Sequence, residues 1–185
     1  MARNIEIKAR IASVEAVLAR ASSFADGAPV VIDQDDTFFA VAHGRLKLRR
    51  FADGSAELIQ YHRPDRPDAK ASDYVRVPVA DADALGDALT RACSTLGRVR
   101  KRRLLLMAGQ TRIHLDRVDG LGDFLELEVV LDDGEAPARG EAEAATLLRS
   151  LGIEDAQLVA GAYVDLLSAA APLVTQRSGH GLHGT

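Results

Sequence analysis

Alternating hydrophobic and polar positions are the most regular feature of this sequence. Residues 3–10 alternate strictly, with Ile5 and Ile7 on one face and Asn4, Glu6 and Lys8 on the other, which predicts a strand with one charged face. Comparable runs bounded by turn residues predict seven more strands. These lie at about 29–41, 45–51, 55–63, 72–79, 97–108, 110–118 and 123–132.

Helical spacing of apolar residues separates some of these strands. Ser13 is a candidate cap for a first helix, and Asp81 for a second in which Leu85, Leu89, Ala92 and Leu96 share a face. Apolar stripes predict two further helices, one after Pro137 and one over about 155–169. Residues 171–185 show no periodicity, so we expect a flexible tail.

About eight strands with mostly short connections favour an α+β fold, a closed eight-stranded antiparallel β-barrel with flanking helices. We expect a single domain over residues 1–170. If the aliphatic strand faces pack outward under the helices, the charged faces point into the barrel. Buried charges there need partners or a ligand, so we interpret the interior as a binding site.

Composition narrows the class of protein. The 185 residues are 47% hydrophobic and 27% charged, as in ordinary soluble proteins. No apolar run reaches the ~20 residues that span a bilayer, and the N-terminus lacks a secretory signal, so we expect a cytoplasmic protein without a membrane partner. Cys93 is the sole cysteine, which excludes an intrachain disulfide. A net charge of -4 argues against nucleic acid as the main partner.

The candidate acidic side of the interior is formed by carboxylates on three strands. They are Glu6, Asp116, Glu126 and Glu128. Glu126 and Glu128 are two residues apart and so share a strand face, where their repulsion favours an intervening cation. Oxygen ligands of this kind suit Mg²⁺ or Mn²⁺, the expected cofactor.

The candidate basic side is formed by lysines and arginines at matching positions. They are Lys8, Lys47, Arg49, Lys101, Arg103 and Arg112, with Arg63 at a barrel mouth, where His62 is the alternative. Arginine binds phosphate oxygens through two parallel hydrogen bonds and lysine supplies a point charge, so the set suits a triphosphate. The competing interpretation is that these acids and bases lie on solvated outer strand faces. Arg98, Arg100 and Arg102 are expected to be exposed.

Several segments resemble the CYTH, or triphosphate tunnel metalloenzyme, family. They are NIEIK, LKLR, VRKRR, IHLDRVDGLGDFLELEVV and GAYVDLL, in order from about Ala2 to Leu167. The resemblance implies an eight-stranded tunnel that holds a triphosphate with Mg²⁺ or Mn²⁺. Asn4 stands where the family signature ExExK has its first Glu, which leaves open whether one or two metals bind. Lys47 stands where the family usually has arginine.

Three functions fit this resemblance. The first is a metal-dependent phosphohydrolase in which Glu6, Lys8 and Glu128 are catalytic. A metal bound by Glu6, Glu126 and Glu128 would orient an attacking water, and the cations would neutralise the departing phosphate. The alternative is a class IV adenylyl cyclase that converts ATP to cyclic AMP and pyrophosphate. A second alternative is a noncatalytic binder of polyphosphate or nucleotide. ATP, thiamine triphosphate and tripolyphosphate are the candidate partners, and a homodimer is left open.

Overall fold

The computed structural model of the protein describes residues 2–62 and 67–170, and these form a closed antiparallel barrel. Its strands are β1 (Ala2–Arg10), β2 (Val30–Phe39), β3 (Arg45–Phe51), β4 (Ala56–His62), β5 (Lys70–Pro78), β6 (Thr95–Ala108), β7 (Thr111–Val118) and β8 (Gly122–Leu131). Around the barrel they run β1-β5-β4-β3-β2-β6-β7-β8, and β8 closes against β1. The predicted fold class is confirmed. Arg63 and the tail at 171–185 lie outside the described residues.

Helices cover much of the outer surface. They are α1 (Val14–Phe24), α2 (Ala82–Cys93), α3 (Pro137–Leu151) and α4 (Tyr163–Ala170). Ile5 and Ile7 point outward from β1 into an apolar core shared with α1 and α3, as the alternation predicts. Ser13 caps α1 by accepting a hydrogen bond from the Ala16 N–H at 3.1 Å. Among the described helices, none is both long and apolar enough to cross a membrane.

Helix α2 packs over β2 and β3 but ends earlier than its apolar stripe predicts. Leu85, Leu89 and Cys93 contact the core beneath it. The chain leaves the helix at Ser94, whose φ of 59° is incompatible with a helix. The predicted helical position of Leu96 is therefore wrong: this residue belongs to β6 and is 58% exposed.

The single helix predicted over 155–169 is also wrong. A 3₁₀ turn at Asp155–Gln157 is followed by extended chain, and α4 begins only at Tyr163. The intervening segment pairs with β1, where the Val159 N–H donates to the Lys8 carbonyl at 2.9 Å. Gly161 has a φ of +79°, which favours glycine and separates this segment from α4. The pairing and the turn together explain why the helix is divided.

Helix α4 closes one end of the barrel. Tyr163 and Val164 pack with Phe38, Val99 and Phe124 where β1 ends and β8 begins. The opposite end carries half-buried side chains that line the interior. They are Ile32, Phe51, Tyr74 and Leu105. Within the described chain, α4 thus covers one end of the interior, and half-buried side chains line the other.

Candidate active site

The barrel encloses a cavity of about 370 Å³ that is lined by charged side chains from its strands. The predicted residues that line it are Glu6, Lys8, Lys47, Arg49, Lys101, Arg103, Arg112, Glu126 and Glu128. Arg98, Arg100 and Arg102 are exposed on the outer face of β6, as their opposite parity predicts. The charged faces of the strands therefore converge on one lumen.

Asp116 is fully buried and holds two cations in place beneath the lumen surface. Arg103 donates two hydrogen bonds to its carboxylate, each 2.6 Å long, and Lys101 donates a third at 2.9 Å. The Tyr163 hydroxyl donates a fourth at 3.1 Å. Burial alone would raise the pKa of Asp116, but the charges of Arg103 and Lys101 hold that pKa well below its usual range.

Asp116, a predicted metal ligand, is surrounded by cations in this arrangement. Both carboxylate oxygens accept hydrogen bonds from cations, and the residue does not line the cavity. Asp116 thus fixes the positions of Arg103 and Lys101, and its role as a metal ligand stays a prediction.

Glu126 extends this network towards β1. It accepts a hydrogen bond from Arg103 at 2.6 Å, and the Lys8 ammonium lies 3.2 Å from its other oxygen. Lys8 is only 2% exposed and sits 4.0 Å from the centre of the Tyr163 ring, close enough for a cation–π interaction. Lys101 lies 4.9 Å from the same ring. Tyr163 therefore supports two cations at the closed end of the lumen.

Asp36 holds a second pair of cations across the lumen. It binds Arg49 through two hydrogen bonds of 2.7 Å and Lys47 through one of 2.8 Å. Burial and the nearby charge of Arg49 lower the pKa of Lys47 to about 7, although Asp36 partly opposes them. Lys47 therefore gains or loses its proton near neutral pH.

A third cluster combines one imidazole with two carboxylates. Metal-ligating atoms of His114, Glu126 and Glu128 all lie within 4.8 Å of one another. Burial and the neighbouring Arg103 lower the pKa of His114, which favours the neutral ring. Burial would raise the pKa of Glu128, but the charge of His114 when its ring is protonated, together with that of Arg103, outweighs burial and lowers this pKa. This donor set fits a divalent metal ion.

Two residues of the opening motif lie beside this cluster. Glu6 is buried and stands opposite Glu128 in the pairing of β1 with β8. Asn4 is also buried, and its side-chain oxygen has no hydrogen-bond partner among the described residues. Arg112 reaches Glu128 at 3.3 Å from the neighbouring strand β7.

Asp36, His114 and Tyr163 are among the lumen residues that the sequence-based site lacks. Asp36 has the same strand parity as Gln34 and Phe38, so the alternation in β2 is the signal that identifies its face. His114 lies two residues from both Arg112 and Asp116, and shares their face for the same reason. Tyr163 stands in the GAYVDLL segment, where no local pattern predicts its contact with Asp116.

A closed barrel whose lumen is lined by cations and carboxylates defines a charged tunnel. The chain belongs to the CYTH domain family, whose sequence model matches residues 2–163. CYTH proteins in general bind triphosphates in their tunnel and depend on metal. No curated protein sequence matches this chain closely enough to count as a relative.

Several solved structures share the fold. A protein of Pyrococcus horikoshii is 21% identical, with a TM-score of 0.80 over 89% of this chain and 99% of its own. A candidate adenylate cyclase of Vibrio parahaemolyticus is 21% identical, with a TM-score of 0.74 over 89% of this chain and 97% of its own. A candidate adenylyl cyclase of Hippeastrum, described as having a dominant triphosphatase activity, is 16% identical, with a TM-score of 0.64 over 94% and 98%.

Proposed function

We propose that this chain is a divalent-metal-dependent phosphohydrolase that acts on a triphosphate bound in its tunnel, and that residues 1–170 form one domain. The observation that carries the proposal is the convergence of buried cations and carboxylates on a single lumen of about 370 Å³. The description of the Hippeastrum relative as mainly a triphosphatase supports hydrolysis.

Buried carboxylates hold the cations of the lumen in place. Asp116 holds Lys101 and Arg103, and Asp36 holds Lys47 and Arg49. Phosphate oxygens would take over part of these interactions, and the side chains need little rearrangement to receive them. Such preorganisation lowers the barrier to phosphoryl transfer, because charge neutralisation and positioning supply most of the catalysis.

Glu6, Glu126 and Glu128 are the carboxylates that would hold the metal. A bound divalent ion would neutralise phosphate charge and lower the pKa of a coordinated water. In hydrolysis, the water oxygen bonds to the terminal phosphorus, the bond from that phosphorus to its bridging oxygen breaks, and the water proton passes to phosphate or solvent. Lys8 and Arg103 lie next to Glu126 and would neutralise the departing charge.

Adenylyl cyclase activity is the second candidate. The accessible end of the lumen carries apolar and aromatic side chains, among them Ile32, Phe51 and Tyr74, which suit the face of a nucleobase. In this reaction the 3′-hydroxyl of ATP attacks its own α-phosphorus, and pyrophosphate leaves. The candidate cyclase of Vibrio parahaemolyticus shares the fold and so leaves this reaction open.

Product analysis separates these functions. We would incubate the protein with ATP, thiamine triphosphate or tripolyphosphate in Mg²⁺ or Mn²⁺ and measure orthophosphate, pyrophosphate and cyclic AMP. Orthophosphate release supports the hydrolase, and paired release of cyclic AMP and pyrophosphate supports the cyclase. Tight tripolyphosphate binding without any product would overturn both and indicate a noncatalytic binder.

Glu128→Gln tests the role of the metal-facing carboxylate. We expect metal-dependent turnover to fall by at least about 100-fold, since the variant loses charge at the metal site. Folding should be retained because the change also removes repulsion between carboxylates. Glu15→Gln is the matched control, since Glu15 is exposed on α1 and pairs with Arg117. Unimpaired turnover in Glu128→Gln would remove this residue from the mechanism.

A further inference from the structure

His114 joins two carboxylates that the sequence had already marked as metal ligands. In the pairing of β7 with β8 it stands directly opposite Glu126. Its Nδ1 atom lies 3.8 Å from Glu126 Oε2 and 3.8 Å from Glu128 Oε1. One nitrogen and two oxygens from adjacent strands thus surround a common point.

The Nδ1 atom of His114 is buried without a hydrogen-bond partner among the described residues. The side chain is 3% exposed, and an unsatisfied buried polar atom costs about 1–3 kcal/mol. A separation of 3.8 Å is too long for a direct hydrogen bond to either carboxylate. The polar atom therefore points to a partner held between the three side chains.

A metal ion has the right dimensions for that position. Ligand bonds of about 2.1 Å place neighbouring donors roughly 3 Å apart around an octahedral ion. Closing the observed 3.8 Å gaps to that value needs only small side-chain movements. The ion would satisfy Nδ1 and relieve the repulsion between Glu126 and Glu128.

The donor set differs from one made only of carboxylates. Imidazole nitrogen binds first-row transition metals better than it binds Mg²⁺, whose preferred ligands are oxygens. The negative charge of Glu6, Glu126 and Glu128, which would attract Mg²⁺, is partly offset here. Lys8 and Arg103 already pair with Glu126, and the neutral Asn4 lies on the adjoining strand.

We propose that His114 is a metal ligand together with Glu126 and Glu128, and that this site prefers a divalent transition-metal ion that binds imidazole well, such as Co²⁺, over Mg²⁺. This proposal concerns the metal site of the proposed hydrolase. It rests on that function only for the reaction in which the metal takes part. Metal binding itself is measured without substrate.

Calorimetric titration of the full-length protein with Co²⁺ and Mg²⁺ tests the preference. We expect the wild type to bind Co²⁺ more tightly, and His114→Asp to lower the ratio of Co²⁺ to Mg²⁺ affinity by at least about tenfold, because the variant supplies oxygen in place of nitrogen. An unchanged ratio in a folded His114→Asp protein would overturn the proposal.

Two control variants test whether other histidines bind the metal. His43→Asn changes an exposed histidine far along the chain from the cluster and should leave both affinities unchanged. The double variant His180→Asn/His183→Asn tests the tail and should retain the Co²⁺ preference. Loss of that preference in the tail variant would assign the metal to the tail and contradict the proposal.

Proton NMR of the Co²⁺-loaded wild type tests the assignment of His114 without any substitution. An imidazole bound through Nδ1 keeps its proton on Nε2, and this exchangeable proton should give a resonance strongly shifted by the paramagnetic ion. Its absence would overturn the assignment of His114. Co²⁺ coordination without any turnover would instead contradict the proposed hydrolase and leave the metal site standing.

Discussion

At the scale of single residues, buried carboxylates determine where the cations of the tunnel lie. Asp36 and Asp116 each bind one lysine and one arginine through both oxygens. Without these anions the cations would repel one another in a medium of low dielectric. The resulting pairs place positive charge at the lumen, and the buried carboxylates neutralise part of that charge.

Asp36→Asn should reveal how much of the stability depends on this neutralisation. We expect the free energy of unfolding to fall by about 3 kcal/mol, since the variant leaves buried cations without their counter-charge. Asp35→Asn is the adjacent control: Asp35 lies on the outer face, pairs with the exposed Arg98, and should cost less than about 1 kcal/mol. Urea unfolding measures both variants, and equal losses would refute the distinction.

Lys47 should make ligand binding depend on pH. Its pKa of about 7 leaves a neutral fraction that a polyanion converts to the charged form, so tripolyphosphate affinity should fall as pH rises above 7. The limiting slope is about tenfold per pH unit. In Lys47→Arg the guanidinium stays charged, and the fall should be shallower. Calorimetry from about pH 6 to about pH 9 compares the tripolyphosphate affinity of the wild type and the variant. Ionisation of the ligand itself affects both proteins equally. Parallel curves would contradict the role of Lys47.

The depressed pKa of Lys47 also makes the stability of the ligand-free protein depend on pH. The unfolded chain, with a lysine pKa of 10.5, binds more protons than the folded chain above pH 7. Lys47 therefore adds stability as pH rises from about 7 towards 10.5, and the gain is absent below the folded pKa.

At the scale of elements, the fit of helices against the barrel sets the outer layer. Helix α3 packs over β1 and β8, and Gly140 allows the close approach. A Cβ atom at this position would lie 2.7 Å from Ile5 Cγ1 and 3.0 Å from Leu131 Cδ2. Helix α2 contains Gly86, where the nearest atom is the flexible end of Arg50 at 3.0 Å.

Alanine at these two glycines should have opposite effects. Gly140→Ala is expected to destabilise the protein by about 1–3 kcal/mol, because overpacking against the barrel outweighs the helix propensity gained. Gly86→Ala should stabilise it by up to about 1 kcal/mol, since Arg50 can move aside. Thermal unfolding compares the variants, and stabilisation by Gly140→Ala would show that α3 does not pack this closely.

At the scale of the whole molecule, the charged interior makes the barrel less stable than an apolar interior would. A lumen filled with aliphatic side chains would contribute more hydrophobic stabilisation than paired ions do. The cost is offset when a ligand binds only the folded state. The empty protein should therefore be markedly less stable than its complex.

Tripolyphosphate with Mn²⁺ should raise the melting temperature. At a ligand concentration about 100 times Kd the gain is about 2.7 kcal/mol. For a protein of this size that corresponds to a shift of about 5–10 °C. Orthophosphate spans fewer of the cation pairs and is the control, with a smaller shift expected. Differential scanning calorimetry that shows no difference between the two would argue against a triphosphate site.

The sequence by itself determined the strands and the face on which each charge lies. Alternation is a local property with a period of two residues, so it placed Glu6, Lys101, Arg103 and Glu128 on the polar faces of their strands without any coordinates. The resemblance to the CYTH family then supplied the class of ligand. Helix ends were less predictable, because Ser94 and Gly161 adopt backbone conformations that apolar spacing does not reveal.

Only the tertiary structure decided which charges meet. Asp36 binds cations on β3, and Asp116 binds cations on β6 and the hydroxyl of Tyr163, which is 47 residues away in the chain. His114 reaches Glu126 and Glu128 because β7 and β8 pair in one particular register. Register and closure of the barrel depend on the packing of all strands and helices together, and no local pattern encodes the distances that result.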